Sequence, residues 1–339
     1  DRISGKESEI TAAHIVNACG PWVDFVLQES GLAASPLVGG VRGSHIVLPP
    51  FTGAPPAAVY TEALDGRPFF VIPWNNQILV GTTEEADSGD PAKARPIADE
   101  IDYLFDSFSR LFPGSGLTRA DIRYSFAGIR PLPYSPGRKM SEVTRQHVIH
   151  DHIHDGAAGL ISIIGGKLTT AMSLAREAAR KLGIAVSEPA NILAAPAPAS
   201  GIESTLSQWA HLVSCKARIP QASAHAIASW HGRRALAIAG AASTDDALRV
   251  PLCSHSEHIV AEAVEAVMYE SAITLADILL RRVPVALAPC WSEPCTQEAA
   301  SRIGAVLGWD RTKIYQETEN FEEERADFLH PLSKNLVIG

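Results

Sequence analysis

Short β-branched or aromatic runs separated by glycine, proline or asparagine fill much of the first half of this 339-residue chain. The second half instead carries apolar positions three and four residues apart. The first pattern predicts strands and hairpins, the second amphipathic helices. ISGKESEI predicts a hairpin turned at Gly5, and Ala13 to Ala18 a buried strand. Gly20 and Pro21 then turn the chain into a helix, WVDFVLQESG, ended by Gly31. GSHIVLP, AAVYTEA, RPFFVIPW and QILVGTTE read as strands, with Asn75-Asn76 as a hairpin turn. Ile101, Leu104, Phe105, Phe108 and Leu111 make one apolar face of a helix that Pro113 stops. IRYSFAGIRPL returns to strand. GLISII, Gly165-Gly166 and KLTTAMSLAREAARKLG repeat the strand–turn–helix arrangement. From 202 onward the pattern is helical, with SEHIVAEAVEAVMYESAITLADILLRR as one long apolar stretch.

These elements predict an α/β plus α architecture. Residues 1–35 and 151–186 form one α/β unit, interrupted by a β-rich unit over 36–150. Pro189, Pro196 and Pro198 mark 187–201 as an extended linker, and 202–339 forms a helical C-terminal domain. The first residue is Asp, and residues 3 to 16 already read as the middle of a sheet. The expectation is a chain whose beginning lies elsewhere.

Composition narrows the function classes. A net charge of -9 argues against nucleic acid as the main partner, because phosphate-backbone binding needs a basic surface. Five cysteines, an odd number, suggest a reducing compartment and free thiols, including Cys290 and Cys295 of PCWSEPC. No apolar run approaches the roughly 20 residues of a membrane span. A soluble or membrane-peripheral cytoplasmic protein is expected.

Local chemistry points to an anion. Gly165-Gly166-Lys167 stands between a strand and a helix start, where free backbone N–H groups and the positive helix end meet. It is not a P-loop, since Leu168 follows the lysine, and no G-x-G-x-x-G fingerprint occurs anywhere. Asn17-Ala-Cys-Gly-Pro-Trp22 is a second junction of the same kind. Six basic residues (Arg119, Arg123, Arg130, Arg138, Lys139, Arg145) face two acidic ones between 119 and 145, a local excess suited to phosphate or carboxylate. Arg130, set among the apolar residues of FAGIRPL, needs an anionic partner if buried. His45, at a strand start behind Gly43 and Ser44, is a candidate general base. His150, His152 and His154 alternate along a predicted strand, but neighbours on one face stand about 7 Å apart, wide for one ion. Cys253-x-His255-x-x-His258 reads as ordinary. No metal site is expected.

VNACGPWVD, VRGSHIVL, FFVIPWNNQILVGTTEE, FAGIRPL, TRQHVI and GLISIIGGKLTTA together resemble, in order and spacing, the FAD-dependent glycerol-3-phosphate dehydrogenases. SAITLADILLRR is similar to their helical C-terminal domain. The resemblance implies a glutathione-reductase-like FAD domain with an inserted β-rich substrate domain. It also implies that the N-terminal glycine-fingerprint segment, which holds the ADP part of FAD, is missing here and would be a partner piece. The implied reaction is oxidation of sn-glycerol 3-phosphate to dihydroxyacetone phosphate by hydride transfer to FAD, with electrons passed to quinone at the inner membrane. The resemblance assigns Arg130 and Arg145 to phosphate and substrate contacts, His45 to the base, and Lys167 to stabilising the reduced cofactor. Asn17, Gly20, Gly128, Gly165, Gly166, Lys167, Leu168 and Thr169 would line the flavin. Cys19 in place of alanine, and Ala171-Met172 in place of tyrosine–arginine, depart from the family pattern. A flavin oxidase using oxygen, and an inactive remnant or partner subunit without flavin, are the alternative readings.

Overall fold

The computed structural model describes residues 4–32, 35–137, 143–186, 201–283 and 285–329. Two sheets organise the first half. The smaller has three strands, β1 (Ile15–Asn17), β9 (Leu160–Ile164) and β8 (Val148–Asp151), with β9 central. β1 runs parallel to β9, pairing Asn17 with Ser162, while β8 is antiparallel to it. The junctions that follow β1 and β9 therefore emerge from the same carboxyl edge, where ligands of α/β sheets bind. After β1 comes a tight 3-10 turn, Gly20–Trp22, then α1 (Val23–Glu29). Gly31 has φ 71, the left-handed conformation that a terminating glycine adopts without strain.

The larger sheet is antiparallel and built around β2 (Val38–Leu48). Along one edge of β2 lie β5 (Gln77–Gly81) and β6 (Glu85–Ala86); along the other lies β7 (Tyr124–Pro133). β4 (Pro68–Trp74) and β3 (Val59–Glu62) continue outward from β5. Asn75 and Asn76 both take positive φ (50 and 56) between the paired Trp74 and Gln77, which is the hairpin turn that Asn-Asn suggests. One face of this sheet buries Ile46, Leu48, Val71 and Val80 against Ile101, Leu104 and Phe108 of α2 (Ala98–Leu111).

Several expectations change. Among the described residues, 4–12 form no strand, so the predicted hairpin at Gly5 is not made; the stretch is exposed and has no apolar face to bury. The division at residue 150 cuts through β8, which pairs with β9 and belongs to the small sheet. Only Gly201 of the linker region is described, at the start of α4 with φ 83.

The helical unit comprises α4 (Ile202–Ala217), α5 (Gln221–His231), α6 (Ala235–Ala242), α7 (Val260–Tyr269), α8 (Glu293–Leu307) and α9 (Arg311–Leu329). Its centre is rich in alanine, with Ala210, Ala224, Ala228, Ala235 and Ala239 buried; small side chains let helix axes approach closely. The long stretch from 256 to 282 is not one helix. It breaks at Ser271, which has φ 55, and resumes as a π-helical segment, Asp277–Arg282. No helix among the described residues is long and apolar enough to cross a membrane.

Candidate active site

The face of the large sheet turned away from α2 is unusually bare, and its glycines explain why. Register places Gly43 opposite Gly128, and His45 opposite both Phe126 and Gly81. Directly opposed residues share a face, so these five lie together with Arg130, which pairs with Val41. A Cβ at Gly81 would sit 2.2 Å from the His45 ring, and one at Gly43 would sit 2.2 Å from the Arg130 guanidinium. Both side chains thus lie flat over glycine backbone. A Cβ at Gly128 would meet nothing within 4 Å, so the floor between them is open.

His45 stacks on Phe126 with ring centroids 5.1 Å apart and planes 11° from parallel. Its Nδ1 is buried without a hydrogen-bond partner. Burial, helped by the neighbouring Arg130 charge, lowers its pKa to about 4. At neutral pH the ring is therefore uncharged and able to accept a proton.

Arg130 donates from Nη2 to Thr82 Oγ1 at 2.7 Å and from Nη1 to the Thr83 carbonyl at 3.1 Å. Both acceptors are neutral. No carboxylate among the described residues is in ion-pair contact with it. Burial and the like charge of Arg145 lower its pKa, and only Glu84 acts the other way. A half-buried guanidinium with no carboxylate in contact is able to take an anion. Arg145 is 52% exposed and pairs with Glu84, so the two arginines and one glutamate form a group with net positive charge.

Thr83 fixes this group from behind. Its Oγ1 accepts from the Ser44 N–H at 2.9 Å and donates to buried Glu100 at 2.6 Å. Glu100 in turn accepts from Arg42 Nε at 2.9 Å. Sequence reasoning passed over Thr82, Thr83, Glu84, Gly81 and Glu100; the polar run GTTEE directly after an apolar strand was the available signal.

The Gly165-Gly166 turn leans on the same strand. A Cβ at Gly165 (φ 72) would lie 3.1 Å from the Gln146 carbonyl and 3.5 Å from Pro133 of β7. Lys167 and Thr169 are exposed and Leu168 is 94% exposed. The helix does not start at Lys167 as expected: a 3-10 turn, Leu168–Thr170, precedes α3 (Ala171–Lys181). Its first N–H groups still lack intrahelical acceptors. Asn17 is 4% exposed, and its amide is engaged locally, donating to the Val23 carbonyl and accepting from the Cys19 N–H. It shapes the turn that carries Gly20 (φ 59), and that turn packs against β7.

Other candidates fall elsewhere. Arg119 pairs with Asp102, and Arg123 donates to Gln77; Arg138 and Lys139 lie outside the described residues. The histidine alternation ends at Asp151, where the strand gives way to a 3-10 turn, and Asp155 takes up His150 and His152. His258 contacts Glu262 rather than Cys253.

The family model described as FAD dependent oxidoreductase matches residues 2–172. That described as the C-terminal domain of alpha-glycerophosphate oxidase matches residues 161–314. The chain belongs to the FAD dependent oxidoreductase family. Its relatives there are glycerol-3-phosphate dehydrogenases. That of Synechocystis is 34% identical over 305 residues, covering 85% of this chain and 54% of the relative. Glycerol-3-phosphate dehydrogenase 2 of Mycobacterium tuberculosis is 28% identical over 330 residues, 95% of this chain and 54% of the relative. The chain thus spans about half the length of these relatives. Among solved structures, the glycerol-3-phosphate dehydrogenase from Bacillus halodurans complexed with FAD shares the fold, with a TM-score of 0.75 at 23% identity. The match covers 98% of this chain and 66% of that one.

Proposed function

We propose that this chain oxidises sn-glycerol 3-phosphate to dihydroxyacetone phosphate with FAD as its cofactor, the electrons passing to quinone. The observation that carries the reading is Arg130: half-buried, held by neutral acceptors, with no carboxylate among the described residues in contact, beside a neutral histidine on a bare glycine floor. A phosphate ester of a small alcohol supplies what each group lacks. The phosphate takes the Arg130 charge, with Arg145 as the second contact. The carbon-2 hydroxyl donates to the uncharged His45 ring, which takes that proton as the alcohol becomes a ketone.

The residues present fit a flavin. Gly128 leaves an open, flat surface, the turns at Gly20 and at Gly165 both lie against β7, and Gly166, Lys167, Leu168 and Thr169 follow the second turn. These residues would hold it, with Asn17 shaping the first turn. Bound FAD supplies the hydride acceptor. Lys167 and the free N–H groups after Gly166 add positive potential for the charge that develops on reduction. In this reading β1, β8 and β9 with α1 and α3 belong to a glutathione-reductase-like FAD domain, and the protein is cytoplasmic, peripheral to the inner membrane.

Anaerobic addition of substrate to the FAD-loaded protein tests the assignment. Glycerol 3-phosphate should bleach the flavin absorbance, and glycerol, lacking the phosphate, should not. Equal bleaching by both would remove Arg130 from the reaction. The match of residues 161–314 to an oxidase domain favours oxygen as the second candidate acceptor; one peroxide formed per product would select it over quinone.

A further inference from the structure

The helical unit contains a cluster of chemistry that the flavin site does not use. Three of the five cysteines gather with a histidine there, although they come from separate segments. Cys253 and His255 lie in the turn ahead of α7, Cys290 in the turn ahead of α8, and Cys295 in the first turn of α8. The sulfurs of Cys253 and Cys295 and a ring nitrogen of His255 all lie within 4.8 Å of one another. Cys295 Sγ is 3.8 Å from His255 Nδ1. Cys290 Sγ lies 3.9 Å from the His255 carbonyl oxygen, and the Cys290 carbonyl lies 3.6 Å from Cys295 Sγ. Tetrahedral zinc, with bonds of about 2.3 Å to sulfur and 2.0–2.1 Å to nitrogen, separates its donors by about 3.5–3.8 Å. Three donors are therefore close to liganding distance; the Cys290 sulfur lies outside that group, and a side-chain movement toward it would supply a fourth.

The surroundings hold this arrangement independently of any ion. Ser254, between two of the donors, gives both its N–H (2.8 Å) and its hydroxyl (3.1 Å) to Glu298 on α8. Arg302, one turn further along α8, donates to the Pro251 carbonyl at 2.7 Å. The turn is thus clamped to the helix that carries Cys295. Cys253 and Cys295 are buried, whereas His255 and Cys290 border a cleft of about 740 Å³, giving an approach path. Buried cysteines alone would be ordinary apolar packing. An imidazole nitrogen at one of those sulfurs, with a third thiol beside it, is not.

We propose that Cys253, His255, Cys290 and Cys295 form a structural zinc site that pins the turn before α7 to the start of α8. Binding releases the three thiol protons to solvent, leaving three thiolates and a neutral imidazole around the ion. The consequence reaches the flavin half. Between Cys290 and the sheet lies Leu287, whose carbonyl accepts from Gln77 Nε2 at 2.8 Å and from the Tyr124 hydroxyl at 2.9 Å. The ion would thus steady the contact by which the helical unit grips β5 and β7.

The test uses untagged protein, purified without chelator and loaded with zinc, then with cobalt(II) as a spectroscopic replacement. The proposal expects about one tightly held zinc per chain and a cobalt–thiolate absorption band. It also expects that band to vanish in Cys295→Ser, and to shift in His255→Gln, whose exposed position makes misfolding a poor explanation. Folded wild-type protein that holds no zinc and shows no band overturns the site. So does a band that survives Cys295→Ser, or a Cys253–Cys295 disulfide in the purified protein, shown by thiol titration after denaturation.

Discussion

Two buried polar clusters in this molecule show opposite bookkeeping. In the helical unit, Glu262 is fully buried, yet His231 Nε2 (2.9 Å), His258 Nδ1 (2.7 Å) and the Ile259 N–H (2.7 Å) all meet it. Burial alone would raise its pKa; His258 and His231 overcome that and bring it to about 2. On the sheet face, Arg130 has no carboxylate among the described residues in contact with it, and His45 Nδ1 has no partner. A satisfied cluster stabilises a fold. An unsatisfied one, fixed by its neighbours, is ready for a ligand. The two should respond differently to substitution.

The largest expected effect is on stability. Glu262→Ala leaves two half-buried or buried histidines and one N–H without an acceptor, and should cost about 3–5 kcal/mol, read as a lower midpoint in urea. Were the loss below about 1 kcal/mol, the contrast would fail on the helical side. Next comes Gly81→Ala. Its methyl would occupy the space of the His45 ring, so kcat should fall about 100-fold, with an overpacking cost of about 1–3 kcal/mol in stability. Unchanged kcat would show that the position of His45 does not matter to the reaction.

The pH dependence separates the clusters further. Glu262 has a folded pKa of about 2 against an unfolded 4.5, so its contribution is complete above 4.5 and is lost as pH falls toward 2. Burial would lower the His258 pKa, but Glu262 reverses this and raises it above 6.5. Its contribution is complete below 6.5 and is lost as pH rises through the raised value. His45 works against the fold in acid: its folded pKa of about 4 lies below the unfolded 6.5, so stability declines between pH 6.5 and 4. Thermal unfolding across pH 3–9 should show the Glu262 and His258 limbs removed in Glu262→Gln, and the imidazole of His45 should titrate near 4 by NMR. A His45 midpoint near 6.5 would contradict its burial. The smallest effect is expected at Arg145→Gln, an exposed residue already paired with Glu84: a rise of about threefold to tenfold in KM for glycerol 3-phosphate, with kcat unchanged.

Local signals carried much of this picture. His45, Arg130 and the Gly165-Gly166 turn stood out because glycines beside a charged or titratable residue are visible in one dimension, although His45, expected at a strand start, lies well inside β2 because the glycine-rich run before it is also paired with β7. So did the Asn75-Asn76 hairpin and the apolar face of α2. What escaped was decided by distant pairings. Arg130 finds Thr82 and Thr83 only because β7 and the β5–β6 segment flank opposite edges of β2, and the cysteine cluster joins positions 253 and 295 across two helices. The break at Ser271 was masked by continuous helical periodicity on both sides. The predicted hairpin at Gly5 had turn chemistry but no partner surface to bury.

The most direct test of the account is an anaerobic titration of the FAD-loaded protein with glycerol 3-phosphate, wild type beside Arg130→Ala. Removing a charge-assisted contact of this kind should cost about 3 kcal/mol, so the variant should need about 100-fold more substrate for half-reduction, with a much smaller change in the urea midpoint because its hydrogen-bond partners among the described residues are neutral. Half-reduction within threefold of wild type would show that the phosphate is bound elsewhere, and the unsatisfied guanidinium would lose its place as the substrate site.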